Sequence, residues 1–275
     1  MTSLAGAVIV SDPKKTLVFK NRDLESRTQA DTLFYDVDCF GIRGINMATG
    51  QLEGLAVGVN HYGLAAANTH VRQSPSPTYD ILTEQILMFA KNTDDGLSMT
   101  IEHLKRGREY QWGNVVLADM DKLLVIEIAG SDYSIEWSER KVIRTGHHIM
   151  LDTEETLRSD TARGDDFYEN SVRRFEQGYE LLRNTVKPEA VFDMLSDHGE
   201  EAGQTSVCRH PDSNQLLSTV ASYVIEMDHP NESGKPRILF HLAKGNPCST
   251  AYSTVPIPFP ADADTIERAK SILFK

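Results

Sequence analysis

Cysteine is scarce in this chain of 275 residues. There are three, Cys39, Cys208 and Cys248, odd in number and far apart. That excludes a disulfide framework as the basis of the fold and suits a reducing compartment. Basic runs are short as well: KRGR at 105–108 and VRR at 172–174 stand against a formal net charge of −12, so nucleic acid is not an expected partner. No apolar stretch approaches a membrane span. The opening run LAGAVIV is stopped by Ser11-Asp12-Pro13 before it reaches signal-peptide form. No glycine-rich phosphate loop follows a strand, which argues against Rossmann and P-loop chemistry. Repeats and low-complexity tracts are missing too. These absences point to a cytoplasmic, enzyme-sized protein with no cofactor and no membrane contact.

What is present is an ordinary globular balance, 40% hydrophobic and 25% charged residues, enough to build one large domain around a sizeable core. Residues 4–10 and 16–19 are β-branched or small runs around an Asp-Pro turn and predict a β-hairpin. A second hairpin is predicted at 55–60 and 64–71, with Gly63 placed for a positive φ and Ala65, Ala66 and Ala67 allowing close packing. Leu82, Ile86 and Phe89 give a helical face, and a second helix is predicted over 93–107. A β-rich block follows from Asn114 to Leu151. Residues 25–54 and 152–169 read as loops of mixed polarity. Helices are predicted around Val172–Leu182 and from Pro188 to Leu195. Strands return at QTSVCRH, STVASYVIEMD, RILFHLAKG and TAYSTVPI, and a last helix follows ADADT. Strands, helices, strands, helices, strands and a helix suit two sheets packed face to face under helices, an α+β layered domain.

Several residues carry chemistry. Thr2 follows Met1, and excision of that methionine would give one residue both a hydroxyl and a free α-amine, a self-contained nucleophile and base. If the first hairpin pairs, Lys20, Asn21 and Asp23 return beside Thr2, where a carboxylate orients the amine and a cation lowers its pKa. Asn68, and after it Asn60, is an amide among small apolar residues that an oxyanion hole could use. His147 and His148, on a strand, would face opposite ways and not share a metal. Cys208 and His210 share a strand face but lack two companions at useful spacing, so no metal site is expected. A metal-dependent hydrolase built on His147, His210 and nearby acids is the weakest reading. One of Arg173 and Arg174 faces inward on its helix. Tyr35, Tyr62 and Phe167 are aromatic candidates for a pocket wall.

Taken in order, AGAVIV–FKNRDLE, GVNHYGLAAAN, GHHIMLD, NSVRRF, LSDHG–SVCRH–STVAS and LAKGNPC resemble successive signatures of the N-terminal nucleophile (Ntn) hydrolases. Within them the chain is similar to the acyl-coenzyme A:6-aminopenicillanic acid acyl-transferase-like family, with choloylglycine hydrolases and secernin-type dipeptidases as cousins. The resemblance implies a single domain over 1–275, a four-layer αββα sandwich of two antiparallel sheets covered by helices. It implies Thr2 as nucleophile and Asp23 as the carboxylate that steadies its amine. Lys20 stands where relatives have Arg or Lys, Asn68 matches the hairpin Asn, and Arg174 or Arg173 matches the Arg of a helix motif that begins at Ser171. Asn21, Tyr62, His147, Ser171 and Arg173 are the expected substrate-side residues, while Cys208 and Cys248 fall in motifs that look structural.

Two positions depart from the family pattern: Thr2 replaces the usual Cys, and Gly146 stands where relatives carry an oxyanion-binding Asn. Asn68, a backbone N–H or His147 then takes that role. The implied activity is hydrolysis of a linear C–N amide of a small molecule or small peptide through an acyl-Thr2 ester. The alternatives are acyl transfer to an amine and a non-catalytic binding protein on the same fold. Homo-oligomerisation is compatible with all three.

Overall fold

The computed structural model describes residues 3–25, 31–44, 50–213, 216–229 and 236–273. Alternating side chains and the turn at Asp12-Pro13 give the first hairpin, β1 (Leu4–Ser11) and β2 (Lys14–Leu24), in register from Leu4 opposite Asn21 to Ser11 opposite Lys14. Next come β3 (Thr32–Tyr35), β4 (Cys39–Arg43), β5 (Val57–Asn60) and β6 (Ala65–Arg72). Helices α1 (Tyr79–Phe89) and α2 (Thr93–Lys105) are capped by side-chain oxygens of Thr78 and Asn92. Then come β7 (Tyr110–Ala118), β8 (Leu123–Gly130), β9 (Asp132–Ser138) and β10 (Lys141–Arg144). After α3 (Glu154–Ser159), α4 (Gly164–Leu181) and α5 (Glu189–Leu195), the chain ends in β11 (Ser218–Asp228), β12 (Arg237–Ala243), β13 (Ser253–Pro256) and α6 (Ala263–Leu273).

The strands form two antiparallel sheets, one of order β10-β1-β2-β11-β12-β13 and one of order β3-β4-β5-β6-β7-β8-β9. Their facing sides make the central core, where Ala5, Ala7 and Val18 meet Val57, Ala65, Ala67 and Val116. The small alanines of β6 let the sheets approach closely. The outer face of the seven-stranded sheet packs Leu64, Ala66 and Leu117 against Leu82 and Ile86 of α1. The outer face of the six-stranded sheet packs Leu17 and Phe19 against Leu182 and against Val191 and Met194 of α5. This is the expected helix–sheet–sheet–helix sandwich. Among the described residues no helix is long and apolar enough to cross a membrane.

Four local expectations are corrected. Within 25–54, β3 and β4 are strands, closed by Asp36 Oδ1 accepting from the N–H groups of Asp38 at 3.0 Å and Cys39 at 2.8 Å; both strands are too short to show a period. Within 152–169, α3 and the first turn of α4 are helical. Only Leu157 of α3 is buried, and Arg158 bridges Glu154, Asp165 and Glu169, so charge pairs replace the apolar stripe. The segment 204–210 is irregular rather than a strand, its backbone bonding to loops: Cys208 N–H donates to Asp197 O at 2.9 Å. His147 and His148 lie past the end of β10, and both turn inward at 5% and 4% exposure.

Glycine sets one close approach on which the site depends. Gly54 has φ +69°, and a Cβ there would lie 2.1 Å from the carbonyl carbon of Asp80, while Leu55 N–H donates to Asp80 O at 2.9 Å. Gly107 has φ +80° with open space around it. Both Gly→Ala changes carry the left-handed penalty of about 1 kcal/mol, but only Gly54→Ala adds a backbone clash. Urea unfolding is expected to show Gly54→Ala at least about 1–2 kcal/mol less stable than Gly107→Ala.

Candidate active site

The start of β1 is flanked by ionisable side chains on both faces of β2. Successive residues of a strand alternate, so Asn21 and Asp23 face the helices while Lys20 and Arg22 face the inter-sheet space. The hairpin register groups Lys20, Asn21 and Asp23 together; the pleat divides them. Thr2 lies outside the described residues. Ser3, the first described residue, is buried.

On the helix face, Asp23 is fully buried. Its Oδ2 lies 2.7 Å from a terminal nitrogen of Arg174 and 3.9 Å from one of Arg209, and its Oδ1 accepts from Thr219 Oγ at 2.9 Å. Each partner has a structural reason to be there. Arg174 is the inward residue of α4, and its Nε donates to Ser206 O at 2.9 Å. Thr219 pairs directly with Asp23 across β11 and β2, beside a register shift between Thr219 and Ala221, the kind of bulge that aims a side chain at a site. Arg209 comes from the irregular segment, its Nε donating to Gln204 O at 3.2 Å. Burial and the neighbouring Arg174 push its guanidinium down to about 9. Asn21 ties the same segment to α5, donating to Leu195 O and Val207 O at 2.9 and 3.0 Å.

On the inter-sheet face, Lys20 Nζ donates to the backbone O of Asn68 and, at 3.2 Å, to its Oδ1. The Asn68 amide nitrogen donates in turn to Leu55 O at 3.0 Å and Thr83 Oγ at 3.1 Å, so in this arrangement its hydrogens hold β6 to the segment before β5 and to α1. Arg22 pairs with Asp31 at 2.8 Å, and Tyr223 OH donates to Asp31 at 2.6 Å. Burial first, and then Arg22, push the Lys20 ammonium down to about 7, while burial raises the Asp80 carboxyl to about 6. Four basic side chains thus face three carboxyl groups around the first strand, a surplus of positive charge while Lys20 keeps its proton.

A third group lies where β10 ends. Asn114 donates to Thr69 Oγ at 2.9 Å and to Thr145 O and His147 O at 3.1 and 3.2 Å. His147 Nδ1 is 2.8 Å from Ser171 Oγ, and burial pushes this imidazole down to about 4, so it is neutral at neutral pH. Gly146 is buried in the same turn. Glu127 clamps the backbone beyond the two histidines: its carboxylate accepts from Arg144 and from the N–H groups of Ile149, Met150 and Leu151 at 2.9–3.0 Å.

The structure therefore gathers Asp23, Asn21, Lys20, Asn68, Arg174, His147 and Ser171 around the first strand and its neighbours. Two residues expected on the substrate side lie outside this group. Arg173 is exposed, since α4 turns Arg174 inward. Tyr62 is 48% exposed in the β5–β6 turn, at the end of the sandwich where Lys14 approaches Asp121 and opposite the end that carries Asp23. Tyr35 sits in the core with its OH donating to Pro258 O, and Phe167 lies under Arg163. Sequence reading missed Arg209, Thr219, Asn114 and Glu127. Arg209 stands inside the SVCRH motif, but no period marks an irregular segment. The expectation that Cys208 and His210 lack companions is also corrected: His198 and Cys248 join them in space. A groove runs along β9, β10 and the end of α4, past Trp137, Lys141 and Tyr179, and contains none of these site residues.

Two antiparallel sheets packed inside helices, with β1 leading into the central hairpin, define the fold of the Ntn hydrolases. The profile of the family acyl-coenzyme A:6-aminopenicillanic acid acyl-transferase matches residues 10–231, and the chain belongs to that family. Penicillin V acylase from Agrobacterium tumefaciens shares the fold with a TM-score of 0.54 and 12% identity, over 94% of this chain and 86% of that one. A mutant of conjugated bile acid hydrolase from Clostridium perfringens gives a TM-score of 0.50 and 12% identity, over 93% and 97%. No curated protein matches the chain in sequence.

The buried charges make two tests possible. Asp23→Ala leaves two buried guanidiniums without their carboxylate and is expected to cost about 3–5 kcal/mol in urea unfolding, against less than about 0.5 kcal/mol for exposed Arg173→Ala. For Lys20, the folded group titrates near 7 and the unfolded one at 10.5. Between those values the unfolded chain binds the extra proton, so stability rises with pH, by up to about 1.4 kcal/mol per pH unit. Wild-type protein should gain stability relative to Lys20→Met between about pH 7 and about pH 9; parallel pH profiles for the two proteins would contradict this.

Proposed function

We propose that the protein is an amidohydrolase that cleaves a linear C–N amide of a small molecule or small peptide through an acyl ester on Thr2, made N-terminal by removal of Met1. The reading rests on Asp23, a carboxylate fixed by Arg174, Arg209 and Thr219 where β2 passes the start of β1. Asp23 orients the α-amine, and the surplus of positive charge favours the amine's neutral, basic form. The Thr2 hydroxyl attacks the amide carbonyl while its proton passes to the amine. The C–N bond then breaks as that proton moves to the leaving nitrogen. Water, deprotonated by the same amine, attacks the ester and releases the acid. With Gly146 in place of an amide side chain, the oxyanion is stabilised by backbone N–H groups of the 145–148 turn, which Asn114 and neutral His147 hold in shape.

Acyl transfer uses the same acyl-Thr2 with an amine acceptor in place of water, and the family to which the chain belongs is named for such a transfer. Penicillin V and conjugated bile acids, the substrates named for the two fold relatives, are suitable first amide probes. Thr2→Ala should abolish turnover of any amide the protein cleaves, and Thr2→Ser should retain part of it. Added hydroxylamine should divert product from acid to hydroxamate, because the acyl group passes through the enzyme. Turnover by Thr2→Ala at the wild-type rate would remove Thr2 from the mechanism.

A further inference from the structure

Outside the charged cluster, four soft or borderline ligand groups converge. His198 lies just after α5, Cys208 and His210 are in the irregular segment, and Cys248 follows β12. Their ligand atoms all lie within 4.8 Å of one another. His198 Nε2 is 2.9 Å from His210 Nε2, and His210 Nε2 is 3.7 Å from Cys208 Sγ and 3.5 Å from Cys248 Sγ. A tetrahedral zinc with bonds of about 2.3 Å to sulfur and about 2.05 Å to nitrogen has edges of about 3.6 Å between sulfur and nitrogen and about 3.3 Å between two nitrogens. The two sulfur–nitrogen separations to His210 match those edges within about 0.2 Å, and the two imidazoles need only move slightly apart.

We infer that His198, Cys208, His210 and Cys248 form a structural zinc site. Two thiolates and two neutral imidazoles make a donor set that selects zinc over the hard cations, and their charge balances the ion. Four protein ligands fill the tetrahedron and leave no open position, so the ion is structural rather than catalytic. Asn246 supplies an outer contact, its amide nitrogen donating toward Cys208 Sγ at 3.9 Å and to Arg209 O at 2.9 Å. Three ligands fall within thirteen consecutive residues, and the fourth arrives only after the β11–β12 hairpin returns the chain. That long separation hides the site from a search for ligand spacings.

The site also has a reason to exist. Residues 199–217 contain no helix or strand among those described, yet they supply the carbonyls that hold Arg174 and Asn21, and they carry Arg209 to Asp23. Arg209 lies between two of the ligands. A metal joining this segment to the β12–β13 connection fixes the wall behind the carboxylate without any sheet hydrogen bonds.

The test is metal content, which is independent of any amide substrate. Full-length protein produced with zinc supplied, then desalted, should carry close to one zinc per chain by mass spectrometry of the elements. Cobalt loaded after chelation should give the visible bands of a tetrahedral site with a thiolate charge-transfer band. Cys248→Ser, at an exposed position, should fold and lose at least about tenfold in zinc affinity, and a strong chelator should lower the thermal midpoint of wild-type protein, with this variant stripped of its metal at a lower chelator concentration. Folded wild-type protein that takes up no zinc overturns the inference, as does a Cys208–Cys248 disulfide in freshly purified protein. Undiminished zinc binding by Cys248→Ser would overturn the ligand set.

Discussion

The Asp23 carboxylate between the guanidiniums of Arg174 and Arg209 is the constraint on which the rest of this end of the molecule depends. Taking such ions out of water costs several kcal/mol each, and mutual attraction offsets this only where geometry is good and the remaining donors find acceptors. The surrounding structure meets that requirement piece by piece. The register shift in β11 brings Thr219 to Asp23, α4 turns Arg174 inward, and the irregular segment before β11 supplies carbonyls to Arg174 and Asn21. A segment without sheet or helix can offer its carbonyls sideways in a way that a strand cannot. Its irregularity is therefore part of how the carboxylate is held.

The pleat of β2 then separates two electrostatic environments across one strand. On the helix side a carboxylate is fixed by cations. On the inter-sheet side Lys20 is held by Asn68 with its charge weakened by burial, beside Arg22 and its partner Asp31. The first strand runs between these environments, and the imidazole turn after β10 completes the surround. In the proposed mechanism such a distribution favours a neutral amine and a developing negative charge, which is what amide cleavage by an N-terminal hydroxyl requires.

The layered fold was legible because its main elements carry strong apolar runs or a helical face between turn residues. The hairpins at 4–24 and 57–72 and the strands β7 and β8 are runs of apolar, small or β-branched residues broken by turn residues, and α1 shows a helical face. The elements that escaped were held by something other than an apolar stripe: α3 by the ion pairs of Arg158, and β3–β4 by an Asp36 turn between strands of four and five residues. The site was legible in part. Asp23, Lys20 and Asn68 lie on strands whose register the hairpins fix. Arg174 was one of two adjacent candidates, and the helix phase selects it. Arg209 and the grouping of His198 with Cys248 depend on the path of an irregular segment, for which the sequence offers no period. Tyr62 falls outside the group because a hairpin turn lies at one end of its strands, and only the relative direction of the sheets decides which end faces Asp23.

In the proposed mechanism an α-amine at residue 2 works as the base beside Asp23. Intact mass with N-terminal sequencing of the purified, active protein tests it most directly. The expected result is a mass lower by one methionine with threonine as the first residue. Active protein that retains Met1 would leave the residue-2 nitrogen in a peptide bond and contradict the account.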